Sequence, residues 1–203
     1  MNARVSTKAS PTLALLAGGM ATRLLPLTER VPKSMLPVAG EPFIAHQLRR
    51  LEGQGVRNIV ICCGHLGEQI EAFVGDGSCF GLKVRYSYDG EQQLGTGGAL
   101  RKALPLLAKR FLVMYGDSYL PVWIAPVWDA FRICGKPALM TLFRNKHRWD
   151  KSNVEFRTGR ILRYEKKYGT PAMEHIDYGL SALSEEVFDL WSPHEAFDLA
   201  EVY

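Results

Sequence analysis

Cysteine is scarce and carries no pattern. The four cysteines, Cys62, Cys63, Cys79 and Cys134, form no C-x-x-C, and two are adjacent inside an apolar run. Neither a zinc site nor a disulfide framework is indicated, and the thiols read as reduced core residues. The five histidines form no H-x-x-x-H and join no cysteine cluster, which removes the other common zinc pattern. Internal repeats and low-complexity tracts are absent. So is any apolar run of membrane length. The nearest approach to a leader is Lys8 to Ala21, where Arg4 and Lys8 precede an apolar stretch, but Gly18-Gly19 interrupts it and its apolar part is too short to span a bilayer. The reading is a soluble, cytoplasmic protein without a membrane partner. Charge bias is also weak: the net +4, from 25 basic and 21 acidic residues, does not imply nucleic-acid binding, and the aromatic residues do not interleave with basic ones as on an RNA platform.

Hydrophobic residues make up 47% and charged residues 23% of the 203 positions, ordinary globular usage for a chain of one-domain size. Charge placement carries more than charge total. Arg144 to Lys167 holds nine Lys or Arg against three acids, while Glu174 to Tyr203 holds eight acids and no Lys or Arg. The basic stretch suits either a small phosphorylated ligand or a solvated face.

Residues 1–11 read as a flexible arm and 12–203 as the folded domain. Leu13 to Ala17 is a short continuous apolar run, as in a strand buried on both faces. Pro42 opens a helix with Ile44, Leu48 and Leu51 on one stripe, closed by Gly53 and Gly55, and Asn58 to Cys63 is a second buried strand. Helix over Glu68–Val74, strand over Lys83–Tyr88, a helix from Ala99 that Pro105 must kink or restart, and strand over Phe111–Tyr115 follow. A helix marked by Val127 and Phe131 precedes a strand over Ala138–Phe143. This alternation predicts an α/β fold, a mostly parallel sheet with helices on both faces. Beyond it, Val154 to Arg157 and Ile161 to Glu165, joined by Thr158-Gly159, predict a projecting hairpin.

Open parallel sheets bind ligands beyond the carboxyl ends of their strands, which directs attention to the loops after Ala17 and Tyr115. The first reads Gly18-Gly19-Met20-Ala21-Thr22-Arg23, followed by Pro26-Leu27-Thr28 and Pro32-Lys33-Ser34-Met35. Glycines admit an anion close to backbone N–H groups, Thr22 adds a hydroxyl, and Arg23 and Lys33 add two cations, so the loop reads as a phosphate cradle. Neither G-x-x-x-x-G-K-[ST] nor G-x-G-x-x-G is present, which disfavours a P-loop kinase and a dinucleotide fold. Asp117 ends the strand after Gly116, where a carboxylate can reach the crevice and hold Mg²⁺; the alternative is a turn-forming Asp. Gly95-Thr96-Gly97-Gly98 is a second glycine loop, for which a plain strand-to-helix connection is the bland alternative.

From Gly18 to Arg23, with Pro26-Leu27-Thr28 and Pro32-Lys33, the sequence resembles the N-terminal motif of sugar-1-phosphate nucleotidylyltransferases. The resemblance runs from about Leu13 to Tyr203 and includes Pro37-Val38-Ala39-Gly40, Gly75-Asp76-Gly77, Leu94 to Ala99, Tyr115-Gly116-Asp117, Ser152-Asn153-Val154 and Glu165-Lys166. It implies a Rossmann-like core with a small β insertion for the sugar, and a reaction joining a nucleoside triphosphate to a sugar 1-phosphate with release of pyrophosphate. By that resemblance Arg23 holds the β and γ phosphates and Lys33 neutralises phosphate at the reacting centre. Asp117 holds Mg²⁺, or Mn²⁺ in its place, and Lys166 meets the sugar phosphate. Gly18, Gly19, Ala21 and Thr22, with Gly95 to Gly98, bind the nucleotide, while Asn153, Glu165 and Asp177 line the sugar pocket. Lys167 replaces the proline usual after the Glu-Lys pair.

The His175 to Leu180 run is most similar to bacterial heptose and mannose 1-phosphate guanylyltransferases, with GTP as the expected nucleotide. The alternatives are a uridylyltransferase for an amino-sugar or muramic acid 1-phosphate, and a catalytically weak, nucleotide-sensing regulatory homologue. Homo-oligomerisation is left open. The resemblance further implies a segment of roughly 30 residues, on the scale of a usual domain, after Phe197-Asp198-Leu199, bearing an acidic residue beside a Gly-x-Pro turn. Without it, the 203-residue form is expected to bind nucleotide, turn over poorly, and expose an apolar patch near its C-terminus or cover it with a partner chain.

Overall fold

The structure is a computed structural model that describes residues 10–165 and 168–203, with Arg23 described by its backbone alone. In chain order the strands and helices are β1 (Thr12–Leu16), β2 (Pro37–Val38), β3 (Glu41–Pro42), α1 (Phe43–Gly53), β4 (Asn58–Cys63), α2 (Gly67–Val74), β5 (Lys83–Tyr88), α3 (Gly95–Ala103), β6 (Arg110–Tyr115), α4 (Ile124–Cys134), β7 (Ala138–Phe143), β8 (Val154–Arg157), β9 (Arg160–Tyr164) and β10 (Ile176–Ser184). Most of the expected arm at residues 1–11 lies outside the described residues. Where description begins, the Ser10 hydroxyl donates to the Gly55 carbonyl at 2.8 Å.

Six strands form one sheet in the order β5-β4-β1-β6-β10-β7. β5, β4, β1 and β6 are mutually parallel, and β10 runs antiparallel to both of its neighbours. The sheet is therefore mostly parallel, as the sequence predicts, and its order reverses beside β1, which has β4 on one side and β6 on the other.

β1 shows why the apolar run is continuous. Leu13 and Leu15 pack with Ile44 and Leu48 of α1, Ile70 of α2 and Phe131 of α4 on one face. Ala14 and Leu16 pack with Leu100 and Ala103 of α3 and with Phe188 on the other. A strand covered twice must be apolar at every position. Each fully buried Leu, Ile or Phe contributes roughly 1.5–3 kcal/mol against leaving it exposed. The Ile44, Leu48 and Leu51 stripe of α1 is buried as predicted.

Beyond the short β2–β3 pair, which the sequence reading did not include, three differences from that reading bear on the site. β10, nine residues long and central, has no counterpart in it. Its Asp177, Gly179 and serines have poor strand propensity, and non-local pairing on both edges, with a register irregularity between Asp177 and Ser181, overrides propensity. α3 begins at Gly95 rather than Ala99, so the glycine loop is the helix's first turn. Finally, in the C-terminal segment Phe197 and Leu199 are buried against α3, with Val202 and Tyr203 packed beside them, while Leu190 stays exposed. Pro105 restarts the chain as a single 3₁₀ turn, Leu104–Leu106. The projecting hairpin forms as expected, shifted by one residue in β9. Thr158 and Gly159 adopt φ of 48° and 80°, the left-handed pair that a two-residue turn of this kind requires.

Candidate active site

Beside β1, where the strand order reverses, a cavity of about 280 Å³ opens beyond the strand ends. Its floor is backbone. The Ala17 N–H donates to the Cys62 carbonyl at 2.9 Å, and the Gly116 N–H to the Leu16 carbonyl at 2.8 Å, so the ladder continues past the ends of β1 and β6. Gly18 lies against Gly64 so closely that a Cβ on Gly64 would stand 2.5 Å from the Gly18 carbonyl oxygen. Only two glycines permit that approach.

Gly18, Gly19 and Ala21 line the cavity, as does Ala17. Ala21 has φ 48° and leads into the 3₁₀ turn Thr22–Leu24. Thr22 is exposed and Arg23 lies in the same turn, its side chain outside the described residues. Lys33 and Ser34 enter from the next 3₁₀ turn, Lys33–Met35, and Asp117 enters from the end of β6. Across 84 positions of sequence, Lys33 Nζ donates to Asp117 Oδ2 at 2.6 Å. The two groups predicted for phosphate and metal are thus partners at the cavity wall, with side chains 41% and 43% exposed.

Gly95 and Thr96 line the opposite wall. Gly97 and Gly98 do not: both are buried, and their N–H groups donate to the Phe197 carbonyl at 3.0 and 3.3 Å. Asp89 and Gln93, not singled out in the sequence, complete this side. The Asp89 N–H extends the ladder from β5 to the Cys63 carbonyl at 2.9 Å. One carboxyl oxygen of Asp89 accepts the Leu94 N–H at 3.3 Å. Burial holds that carboxyl above the usual aspartate range, against the opposing pull of the Leu94 N–H and Lys102. A carboxylate ending a strand was the signal that identified Asp117, and it applies equally to Asp89. Tyr115 and Cys62 supply the apolar lining, and burial pushes both ionisations upward.

The expected sugar residues lie off this cavity, on the lobe of β8, β9 and the start of β10. Asn153 donates its N–H to the His175 carbonyl and accepts the Glu165 N–H, both at 2.9 Å, and its side-chain oxygen is buried. Asp177 Oδ1 accepts the Gly179 N–H at 2.8 Å, and the Tyr115 hydroxyl points to its Oδ2 at 3.5 Å. Tyr115 therefore links Asp177 to the cavity wall. Lys166 lies outside the described residues. Among the described residues, no group of three or more His, Cys, Asp or Glu could hold a metal by itself, and no helix is long and apolar enough to cross a membrane.

A mostly parallel α/β sheet with a glycine-lined cavity, a lysine and a carboxylate where its strand order reverses defines an α/β protein with a Rossmann-like crevice. The sequence profile of the nucleotidyl transferase family matches residues 14–179, and the chain belongs to that family. It is 43% identical over 177 residues to mannose-1-phosphate guanylyltransferase of Mycobacterium tuberculosis, covering 86% of this chain and 49% of that protein. It is 45% identical over 104 residues to N-acetylmuramate alpha-1-phosphate uridylyltransferase of Neisseria meningitidis serogroup B, covering 51% and 45%. The solved structure of HddC from Yersinia pseudotuberculosis complexed with GMP-PN matches with a TM-score of 0.73 at 25% identity, over 94% of this chain and 83% of that one. The chain spans about half the length of these two curated relatives.

Proposed function

We propose that the chain carries the nucleotidyl-transfer site of a sugar-1-phosphate nucleotidylyltransferase, taking GTP by preference and a heptose- or mannose-type sugar 1-phosphate, and giving a nucleotide sugar and pyrophosphate. The observation that carries this reading is the Lys33–Asp117 pair on a glycine-lined cavity at the switch point. In the reaction an oxygen of the sugar phosphate bonds to the α-phosphorus, and the bond from that phosphorus to the α,β-bridging oxygen breaks. The attacking oxygen is already ionised near pH 7, so alignment and charge relief matter more than a general base. Lys33 exchanges Asp117 for a phosphate oxygen and shields the approach of one anion to another. The Ala17 to Ala21 backbone cradles the triphosphate, and Arg23 is assigned to the departing pyrophosphate. Mg²⁺, when bound, supplies further neutralisation of the phosphates. It takes one or two carboxylates together with phosphate oxygens and water, and Asp117, once released by Lys33, fits that donor set. Lys166, Glu165, Asn153 and Asp177 are assigned to the sugar phosphate and hydroxyls of the neighbouring lobe.

Base preference rests on Asp89. A carboxylate beside the Leu94–Gly95 backbone favours the donor-rich edge of guanine, with N1–H and N2–H₂, over uracil, which offers a single N–H. The uridylyl alternative is favoured by the high identity to the Neisseria protein. The test is pyrophosphate release from GTP, UTP, dTTP and CTP against a panel of sugar 1-phosphates, with and without Mg²⁺. A tenfold preference for UTP in kcat/KM moves the assignment to the uridylyl type. Nucleotide binding without turnover, in the longest available form of the protein, moves it to a sensing homologue. EDTA-resistant turnover removes the metal assignment.

A further inference from the structure

The first turn of α3 is held by a distant part of the chain. The Phe197 carbonyl accepts the N–H groups of Gly97 and Gly98, and the Phe197 N–H returns a bond to the Leu94 carbonyl at 3.0 Å. The Leu199 N–H donates to Thr96 Oγ1 at 2.8 Å across 103 positions. A helix start leaves N–H groups without intrahelical acceptors, and here the Phe197 carbonyl satisfies two of them. The glycines make the contact sterically feasible. A Cβ at Gly97 would meet the Phe197 ring at 2.2 Å, one at Gly98 the Glu195 carbonyl oxygen at 2.4 Å, and one at Gly95 the Phe197 carbonyl oxygen at 2.5 Å. Residues 197–199 are themselves fixed. The Phe197 ring is buried and stacks on Trp191 at 4.7 Å, and Asp198 caps the next turn by accepting the Ala200 N–H at 2.8 Å. The other side of the same helical turn presents Gly95, Thr96 and Ala99 to the cavity.

We propose that residues 195–199 are a positioning clasp for the nucleotide pocket, and that Gly97 and Gly98 serve ligand binding by seating this clasp rather than by touching the ligand. The inference rests on the nucleotide reading of the cavity. Because Thr96 bonds the clasp through its side chain while its residue lines the cavity, release of the clasp frees a wall of the pocket without disturbing its floor. Binding and clasp closure are then linked, and linkage is reciprocal: nucleotide must stabilise the closed clasp by the factor that the closed clasp improves affinity.

The test combines hydrogen exchange at the Gly97, Gly98 and Leu199 amides with GTP and UTP binding. Wild-type protein should bind nucleotide, and saturating nucleotide should slow exchange at these amides about tenfold, as a linkage of ordinary size predicts. Unchanged exchange at saturation would overturn the proposal, and this arm needs no variant. Gly97→Ala should speed exchange at Leu199 and weaken nucleotide binding about tenfold. In Gly97→Ala/Phe197→Ala the ring that the new methyl group meets is gone while the carbonyl acceptor remains, so binding should recover severalfold over Gly97→Ala. A double variant that restores the Leu199 exchange rate yet binds no better than the single one would assign Gly97 to direct ligand contact. Released amides with binding within twofold of wild type would remove the positioning role alone. A wild-type protein that binds neither GTP nor UTP would remove the nucleotide reading, and the clasp's role with it.

Discussion

Lys33→Met separates a structural from a catalytic use of the Lys33–Asp117 pair. With both side chains around two-fifths exposed, the pair is screened by water in spite of its 2.6 Å separation. Exposed ion pairs contribute about 0.2–1 kcal/mol to stability. For a chain of 203 residues, 1 kcal/mol shifts the thermal midpoint by roughly 2–4 °C. Met retains an unbranched stem of similar length, so packing is preserved. The midpoint should therefore fall by no more than about 4 °C. The catalytic loss is of a different size. Removing one electrostatic contact to a developing anion costs about 10²–10³ in rate, or roughly 2.7–4 kcal/mol. Thermal denaturation followed by dye fluorescence, beside pyrophosphate release under saturating substrates, measures the two quantities on one sample. A midpoint lowered by more than about 8 °C would make the pair chiefly structural by the same conversion. Turnover within threefold of wild type would refute the assignment of Lys33 to the reacting phosphates.

Three further outcomes follow from the same geometry. Gly64→Ala places a methyl group on the Gly18 backbone and should destabilise by about 1–3 kcal/mol, whereas Gly19→Ala, with nothing within 4 Å of its Cβ, should leave chemical denaturation nearly unchanged; equal effects would contradict the close approach. Asp89 has its folded-state pKa raised, chiefly by burial, so the folded chain binds more protons than the unfolded one between the two pKa values and stability falls as pH rises through them. Asp89→Asn should therefore raise the thermal midpoint at neutral pH and lose that advantage below the unfolded-state pKa, while shifting nucleotide preference away from GTP; a midpoint difference independent of pH would count against it. Cys62 and Cys63 are buried, with the Cys63 thiol pushed up to about 12, and Cys79 and Cys134 are exposed. Native protein should thus release two equivalents with a thiol reagent at pH 8 and four in denaturant, and a third native equivalent would place Cys62 or Cys63 within reach of solvent.

Most of the scaffold is written in local pattern. The continuous apolar runs of β1, β4 and β6, the stripe of α1 and the Thr158-Gly159 turn all express constraints that act within a few residues, and each was legible. The placement of Lys33 and Asp117 at the crevice was legible for a related reason, since strand-end loops must line it whatever the tertiary detail. Two of the differences are non-local. β10 owes its conformation to pairing with β6 and β7 rather than to its own residues. Gly97 and Gly98 resemble ligand glycines in sequence, but the atom they accommodate belongs to Phe197, about one hundred positions later. Asp89 was visible by the strand-end rule and was missed because no glycine motif drew attention to it.

Placement of the two strand-end carboxylates divides the site into a fixed and an exchangeable part. Asp89 and Asp117 both follow strands of the parallel block, and backbone bonds one step past the strand ends, from Asp89 to Cys63, Ala17 to Cys62 and Gly116 to Leu16, tie β5, β4, β1 and β6 together directly beneath them. Moving either α-carbon would break a sheet ladder whose side chains are buried on both faces. The Asp117 side chain, by contrast, is held by an exposed lysine with four rotatable carbons, on a loop entering from a 3₁₀ turn. An anion arriving on the glycine loop can therefore compete for Lys33 at little structural cost. On the proposed reading the consequence is directional: phosphate on the glycine loop would draw Lys33 away from Asp117, and the carboxylate so released would be the one assigned to the cation. Geometry that is rigid in the backbone and replaceable in its ion pair allows that exchange without unfolding any element of the sheet.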